Sequence, residues 1–125
     1  MRNFSTNWKS SKKLKKQRKY RSNSPLHIKQ KLINSHLSKE LRKKYGKRSI
    51  GIKKGDKVKV MRGQFRKHEG KVEIINLKKV MVFVTGAEIT KKDGSKKLIA
   101  FNPSNLIVTD LNLDDKLRQK ILERK

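Results

Sequence analysis

The sequence predicts a mainly β protein: a small barrel with a basic helical N-terminal extension and a short C-terminal helix. Three observations lead there. Residues 1 to 54 hold nineteen Lys and Arg against a single acid, Glu40, while residues 55 to 110 hold twelve against six and residues 111 to 125 hold five against three. The apolar residues, 33% of the 125-residue chain, gather after residue 56, enough for a core of about 60 residues. In that region they recur with period two in short β-branched runs, the signature of strands.

The basic half has too few apolar side chains and too much like-charge repulsion to fold alone, so the net charge of +26 calls for a dense polyanion as partner. Residues 1 to 24 mix Lys and Arg with Ser, Asn and the spaced aromatics Phe4, Trp8 and Tyr20, without helical or strand period, and read as an extended basic arm. Residues 25 to 52 read as a helical basic extension. Ser24 caps a proline-started helix carrying Ile28, Leu32 and Ile33 up to Asn34. A second helix is expected over Ser35 to Gly46, capped by Ser35 or Ser38, with Leu37, Leu41 and Tyr45 on one packing stripe and Gly46 as the stop.

Strands follow in residues 53 to 110. Val58 and Val60, Val72 and Ile74, and Val80, Val82 and Val84 alternate, and further runs cover Ala87 to Thr90, Leu98 to Phe101 and Leu106 to Thr109. Lys91 to Gly94 signals a hairpin, and Asn102-Pro-Ser-Asn105 a turn. Five or six short strands in so small a unit are expected to close into a barrel, which protects their edges. Phe83 and Phe101, within strands, are expected in the core. In residues 111 to 125, Asn112 is expected to cap a last helix with Asp114 and Asp115 at its start and Arg124 and Lys125 at its end, matching the helix dipole.

Chemistry is sparsely represented. Cysteine is absent, and His27, His36 and His68 lie far apart, so neither thiolate nor histidine metal ligation is indicated. The ten acids are scattered with no nucleophile-base spacing, and no Gly-rich Lys-Ser/Thr phosphate loop occurs, so neither an enzyme nor a cofactor is expected. No apolar run approaches a membrane span and no signal-peptide h-region is present, which predicts a soluble cytoplasmic protein without membrane insertion.

Binding remains. The segment from Lys53 to Ile75 is a strand, a basic loop with glycines at both ends, and a second strand. Gly55, Gly63 and Gly70 suit a tight entry turn, a strand exit and a strand re-entry. Between them Arg62, Gly63, Gln64, Phe65, Arg66, Lys67 and His68 are presented on an anchored loop, with Lys71 just beyond. Phe65 has two readings, stacking on a base or packing on the barrel.

This strand-loop-strand resembles a KOW motif, the unit of small SH3-like barrels in ribosomal proteins and elongation factors. Its flanks, Leu37-Ser-Lys-Glu-Leu-Arg-Lys-Lys-Tyr45, Arg48-Ser49, Asn102-Pro-Ser-Asn-Leu-Ile-Val108 and Ile121-Leu-Glu-Arg-Lys125, are similar to the large-subunit ribosomal protein family numbered twenty-four in bacteria and archaea and twenty-six in eukaryotes. The resemblance covers roughly residues 22 to 125, and the lack of a long basic C-terminal tail favours the archaeal type. It implies direct binding to the 5′ domain of the large ribosomal RNA, a role early in subunit assembly, and a position near the polypeptide exit tunnel beside neighbouring ribosomal proteins; a rival reading makes the exposed surface a docking platform for tunnel-exit factors, with the basic arm only as its anchor. The family's RNA-facing loop falls on residues 62 to 68 and its basic helical extension on Lys39 to Arg48. One departure is visible: the family commonly has glycine where this chain has Lys67.

The bases expected to neutralise phosphate are therefore Lys12, Lys13, Lys15, Lys16, Arg18, Lys19 and Arg21 in the arm, and Arg42, Lys43, Lys44, Lys47 and Arg48 in the extension, together with the loop and Lys71. Trp8 and Tyr20 are expected to stack on RNA bases or a neighbouring protein. The alternative is a KOW-type transcription elongation or DNA-coating module.

Overall fold

The computed structural model describes residues 4–124, with seven strands and four helices among them. The strands are β1 (Asn34–Leu37), β2 (Ser49–Gly51), β3 (Lys57–Val60), β4 (Glu69–Asn76), β5 (Met81–Thr90), β6 (Lys96–Phe101) and β7 (Leu106–Asp110). The helices are α1 (Leu14–Asn23), α2 (Leu26–Leu32), α3 (Lys39–Tyr45) and α4 (Lys116–Glu123). The strands form one mixed sheet in the order β2-β1-β7-β3-β4-β5-β6, antiparallel throughout except where β1 runs parallel to β7.

The expected β-rich class holds, but the sheet is not closed into a barrel. Its edges are blunted by other means: β2 has three residues, and β6 carries Lys96 and Lys97. Val58, Val60, Val72, Val82, Val84, Leu106 and Val108 are fully buried, and Leu37, Ile33, Ile50 and Ile52 extend the core beneath β1 and β2.

Several expectations are corrected by local physics. The arm is not wholly extended, because Leu14, Lys, Gln and Arg are good helix formers and form α1. It needs no apolar period because one ring anchors it: Tyr20 is buried and packs on Phe4 at 5.1 Å between centroids. The Gln17 amide donates to the Ser11 carbonyl at 2.7 Å, fastening the preceding turn. Ser24 does not cap α2; its hydroxyl donates back to the Tyr20 carbonyl, closing α1, and Pro25 occupies the α2 cap position.

Asn34 to Leu37 is a strand rather than the start of a helix. There Ser35 is buried and its hydroxyl donates to the Leu106 carbonyl, so α3 begins only at Lys39, where Ser38 accepts from the Leu41 N–H. Gly46 ends α3 in the left-handed conformation, φ 64°, as the sequence predicted, and Leu41 and Tyr45 pack on the core.

On the sheet, a register shift between Val72 and Ile74 breaks their alternation, which leaves Val72 buried and Ile74 exposed. Val80 is buried but lies in the turn before β5. Val82 pairs with Phe101 on the core face, so the next pair, Phe83 with Ala100, lies on the opposite face, and Phe83 is only half-buried. Ala87 to Thr90 continues β5, and the 91–94 hairpin and the 102–105 turn form as expected.

The C-terminal helix is capped by Asp115, which accepts from the Leu117 N–H; Asn112 instead accepts from the Asp114 N–H. A buried ion pair fixes α4. Arg118 meets both Asp56 oxygens at 2.6 Å and also donates to the Asn112 carbonyl at 2.8 Å and the Gly51 carbonyl at 3.1 Å. Asp56 further accepts the Lys53 and Asn112 N–H groups at 2.8 and 3.0 Å. One carboxylate thus ties the entry turn of β3, the end of β2 and α4 together.

Candidate nucleic-acid interface

The basic loop is held by the strands on both sides of it. Val60 N–H donates to the His68 carbonyl and Lys67 N–H to the Val60 carbonyl, both at 2.9 Å, so residues 61 to 67 form a closed excursion between β3 and β4. Its entrance turns on Gly63 at φ 93°. At its exit Gly70 passes so close to β5 that a Cβ would lie 2.6 Å from the Thr85 carbonyl oxygen and 2.8 Å from a Val84 methyl. Lys67 has φ 73°, so it takes up the left-handed geometry for which glycine is the usual residue. Lys67 therefore keeps a glycine-like backbone at this position while presenting a charge.

Within the loop Arg62, Gly63, Gln64, Arg66 and Lys67 are exposed, as is Lys71 on β4. Phe65 is not: it packs against the core, edge-on to Phe101 with centroids 6.2 Å apart. His68 is also committed inward. Its Nε2 lies 2.9 Å from the Thr85 carbonyl oxygen, the geometry of a ring N–H donating, and its ring stands edge-on to Phe65. Between the two readings of Phe65, packing is the one observed.

In the helices, Lys12, Lys13, Lys15, Lys16, Arg18, Lys19 and Arg21 are all exposed on or just before α1. Tyr20 is buried between them and not available for stacking, which corrects its expected role. Trp8 is half-buried, with the Lys19 and Lys16 ammonium groups 5.0 and 5.7 Å from its ring centroid. On α3, Lys43 and Lys44 are exposed, and Arg42 Nε donates to the Leu37 carbonyl at 2.8 Å. Arg48 is exposed after α3, whereas the Lys47 amine is drawn to the Ile121 carbonyl near the end of α4.

Electrostatically these bases stand apart from the acids. The four ion pairs among the described residues use Lys53, Lys59, Lys96 and Arg118, and none uses a side chain of α1, α3 or the 62–67 loop. Two of the paired acids, Glu69 and Asp115, have their ionised forms favoured. The hydrogen bond and charge of Lys59 hold the Glu69 carboxyl below its ordinary range, and hydrogen bonds from Lys53 and the Leu117 N–H do the same for Asp115.

The fold also brings together residues that the sequence reading left apart. Arg42 of α3 and Arg62 of the loop line one cleft with His36 and Ile107 of the paired strands β1 and β7, Met61, and Ser104 and Asn105 of the 102–105 turn. Local pattern places His36 inside a helix and gives no role in binding to the 102–105 turn. The parallel pairing of β1 with β7, invisible to local pattern, is what assembles them.

The chain was compared with known proteins. A family model that joins the eukaryotic ribosomal proteins L26 with the archaeal ribosomal proteins numbered twenty-four matches residues 11–125, reaching further toward the N-terminus than the resemblance read from the sequence. The protein named large ribosomal subunit protein uL24 from Methanosphaera stadtmanae is 44% identical over 115 residues, covering 92% of this chain and 98% of its own length. Its namesake from Methanothrix thermoacetophila is 46% identical over 114 residues, covering 91% and 98%. With nearly the whole chain matched, this protein belongs to the ribosomal protein family numbered twenty-six in eukaryotes and twenty-four in archaea, of the archaeal type and with a structural rather than catalytic role.

Proposed function

We propose that the chain is a structural constituent of the large ribosomal subunit that binds the 5′ domain of the large ribosomal RNA directly, early in assembly, and lies near the polypeptide exit tunnel. One observation carries the RNA part of this reading: among the described residues the bases of α1, α3 and the 62–67 loop have no acidic partners, so their charge is left for an external polyanion. Lys and Arg at phosphates release condensed counterions, and affinity then falls by about 0.7 to 0.9 log units per log unit of salt for each phosphate contacted. On this reading residues 1–24 and 25–52 act as basic anchors. Residues 53–110, an SH3-like unit curled around the valine core, set the loop's position, and 111–125 brace it.

Sedimentation tests the proposal. The protein in a cell lysate should migrate with large subunits and stay there through a moderate salt wash. Migration with polymerase or with chromatin would instead support an elongation or DNA-coating module.

A second reading, docking of neighbouring proteins or tunnel-exit factors, is favoured by an apolar groove on the β5–β6 hairpin. Met81, Phe83, Ile89 and Leu98 line it, bordered by Lys79 and Lys97. Such a border suits a partner segment with apolar anchors and acidic flanks. Ile89→Asp should release that partner while leaving RNA retention intact.

A further inference from the structure

We infer that the cleft between α3, β1 and the 102–105 turn is a pocket for a single unpaired ribonucleotide; this rests on the RNA-binding reading above and specifies one contact within it. The cleft has a volume of about 450 Å³, within the range of small-ligand sites and large enough for one nucleotide. Its lining divides by chemistry. Arg42 and Arg62 supply guanidinium groups suited to a phosphate, and the Arg42 Nε bond to the Leu37 carbonyl fixes that side chain while its terminal nitrogens make no hydrogen bond among the described residues.

Met61 and Ile107 offer an apolar surface to a base. Asn105 uses its main-chain N–H and carbonyl within the fold, toward Asn102 and Met61, and its side-chain amide makes no hydrogen bond among the described residues. That amide is both donor and acceptor, the pattern that reads a base edge. His36 lines the cleft too, with the accessible part of its ring and not with Nδ1, which is buried.

A phosphate on a continuous helix would be met by the arginines alone. A recessed amide and imidazole beside an apolar wall suit a base turned out of its stack, the form in which RNA sequence is ordinarily read.

The test uses the full chain and deproteinised archaeal large-subunit rRNA, with filter binding across a KCl series. Asn105→Ala should weaken binding about 5- to 30-fold at fixed salt, the effect of one or two lost hydrogen bonds, with an unchanged salt slope because no charge is removed. Arg62→Ala should instead make the slope shallower by about 0.7 to 0.9. Asn105→Asp, which keeps the side chain's shape and sets a carboxylate beside the phosphate, should weaken binding more than Asn105→Ala. Ultraviolet cross-linking of the wild-type complex, mapped by mass spectrometry and reverse-transcription stops, should join Met61 or a residue of 102–105 to an unpaired nucleotide. Binding by Asn105→Ala within twofold of wild type, or a cross-linked nucleotide inside a continuous duplex, overturns the pocket alone. Failure of the wild-type chain to bind this rRNA overturns the RNA-binding reading as well.

Discussion

Arg118→Ala should be among the most damaging single changes in this chain, though Arg118 sits far from the basic loop in sequence. Asp56 is 0% exposed and accepts four hydrogen bonds, two from backbone N–H groups and two at 2.6 Å from the Arg118 guanidinium. Truncating Arg118 keeps the carboxylate buried and removes the counter-charge that faces it. It also strips the donors from the Asn112 and Gly51 carbonyls. Removing one member of a buried pair typically costs about 3 to 5 kcal/mol, because the remaining charge stays desolvated. Domains of this size are stable by roughly 5 to 15 kcal/mol, so the loss is a large fraction of the total.

The assay is urea denaturation of the wild type, Arg118→Ala, Asp56→Ala and the double variant, followed by circular dichroism. Each single variant should lose about 3 kcal/mol or more, and the double variant should lose clearly less than their sum, since neither charge is then left alone. A loss under about 1 kcal/mol for Arg118→Ala, or simple additivity, would refute the reasoning. Either result would mean that water reaches the pair or that α4 detaches at little cost.

Further outcomes follow from the loop and the surface pairs. Gly70→Ala forces a methyl into the Thr85 carbonyl and Val84, and should cost about 1 to 3 kcal/mol in the same urea assay. Lys67→Gly relieves a left-handed φ of 73° while loosening the unfolded chain, so stability should change by less than about 1 kcal/mol, and RNA binding should lose one phosphate contact in salt slope. Arg62, Arg66 and Lys67 changed together to Ala should make that slope shallower by about 2 to 3 without altering the circular dichroism spectrum. The folded state holds the Glu69 and Asp115 carboxyls below their ordinary values, so their contribution is present at neutral pH. It should disappear as pH falls from about 4.5 for Glu69, and from about 3.8 for Asp115, through the depressed values, a drop that an acid titration of Lys59→Met should show diminished for Glu69.

What the sequence made legible was local. Gly46, Ser38, the 91–94 hairpin and the 102–105 turn each act through their immediate neighbours, and each forms where the residues predict. Tyr20 was misjudged because an arm without apolar periodicity looks unable to bury anything, yet one ring against Phe4 and one glutamine amide are enough to close a short helix. Ser35 was misjudged for the opposite reason: its hydroxyl fits a helix cap locally, and only the distant Leu106 carbonyl makes it a strand residue. The same long-range event, β1 lying parallel to β7, explains why the loop was readable as a basic surface but the cleft behind it was not.

That pairing also bears on how recognition is built. Phosphate-neutralising bases can sit on any exposed helix or loop, and their positions follow from composition. A recessed amide and imidazole must be brought together by the fold itself, here from residues about seventy positions apart, His36 and Asn105. If the basic surface were the whole of the interface, substitutions that alter charge would alter binding, and Asn105→Ala would be silent. A sizeable effect from that neutral residue would mean that the sheet does more than carry the loop: it shapes the part of the site able to distinguish one nucleotide from another.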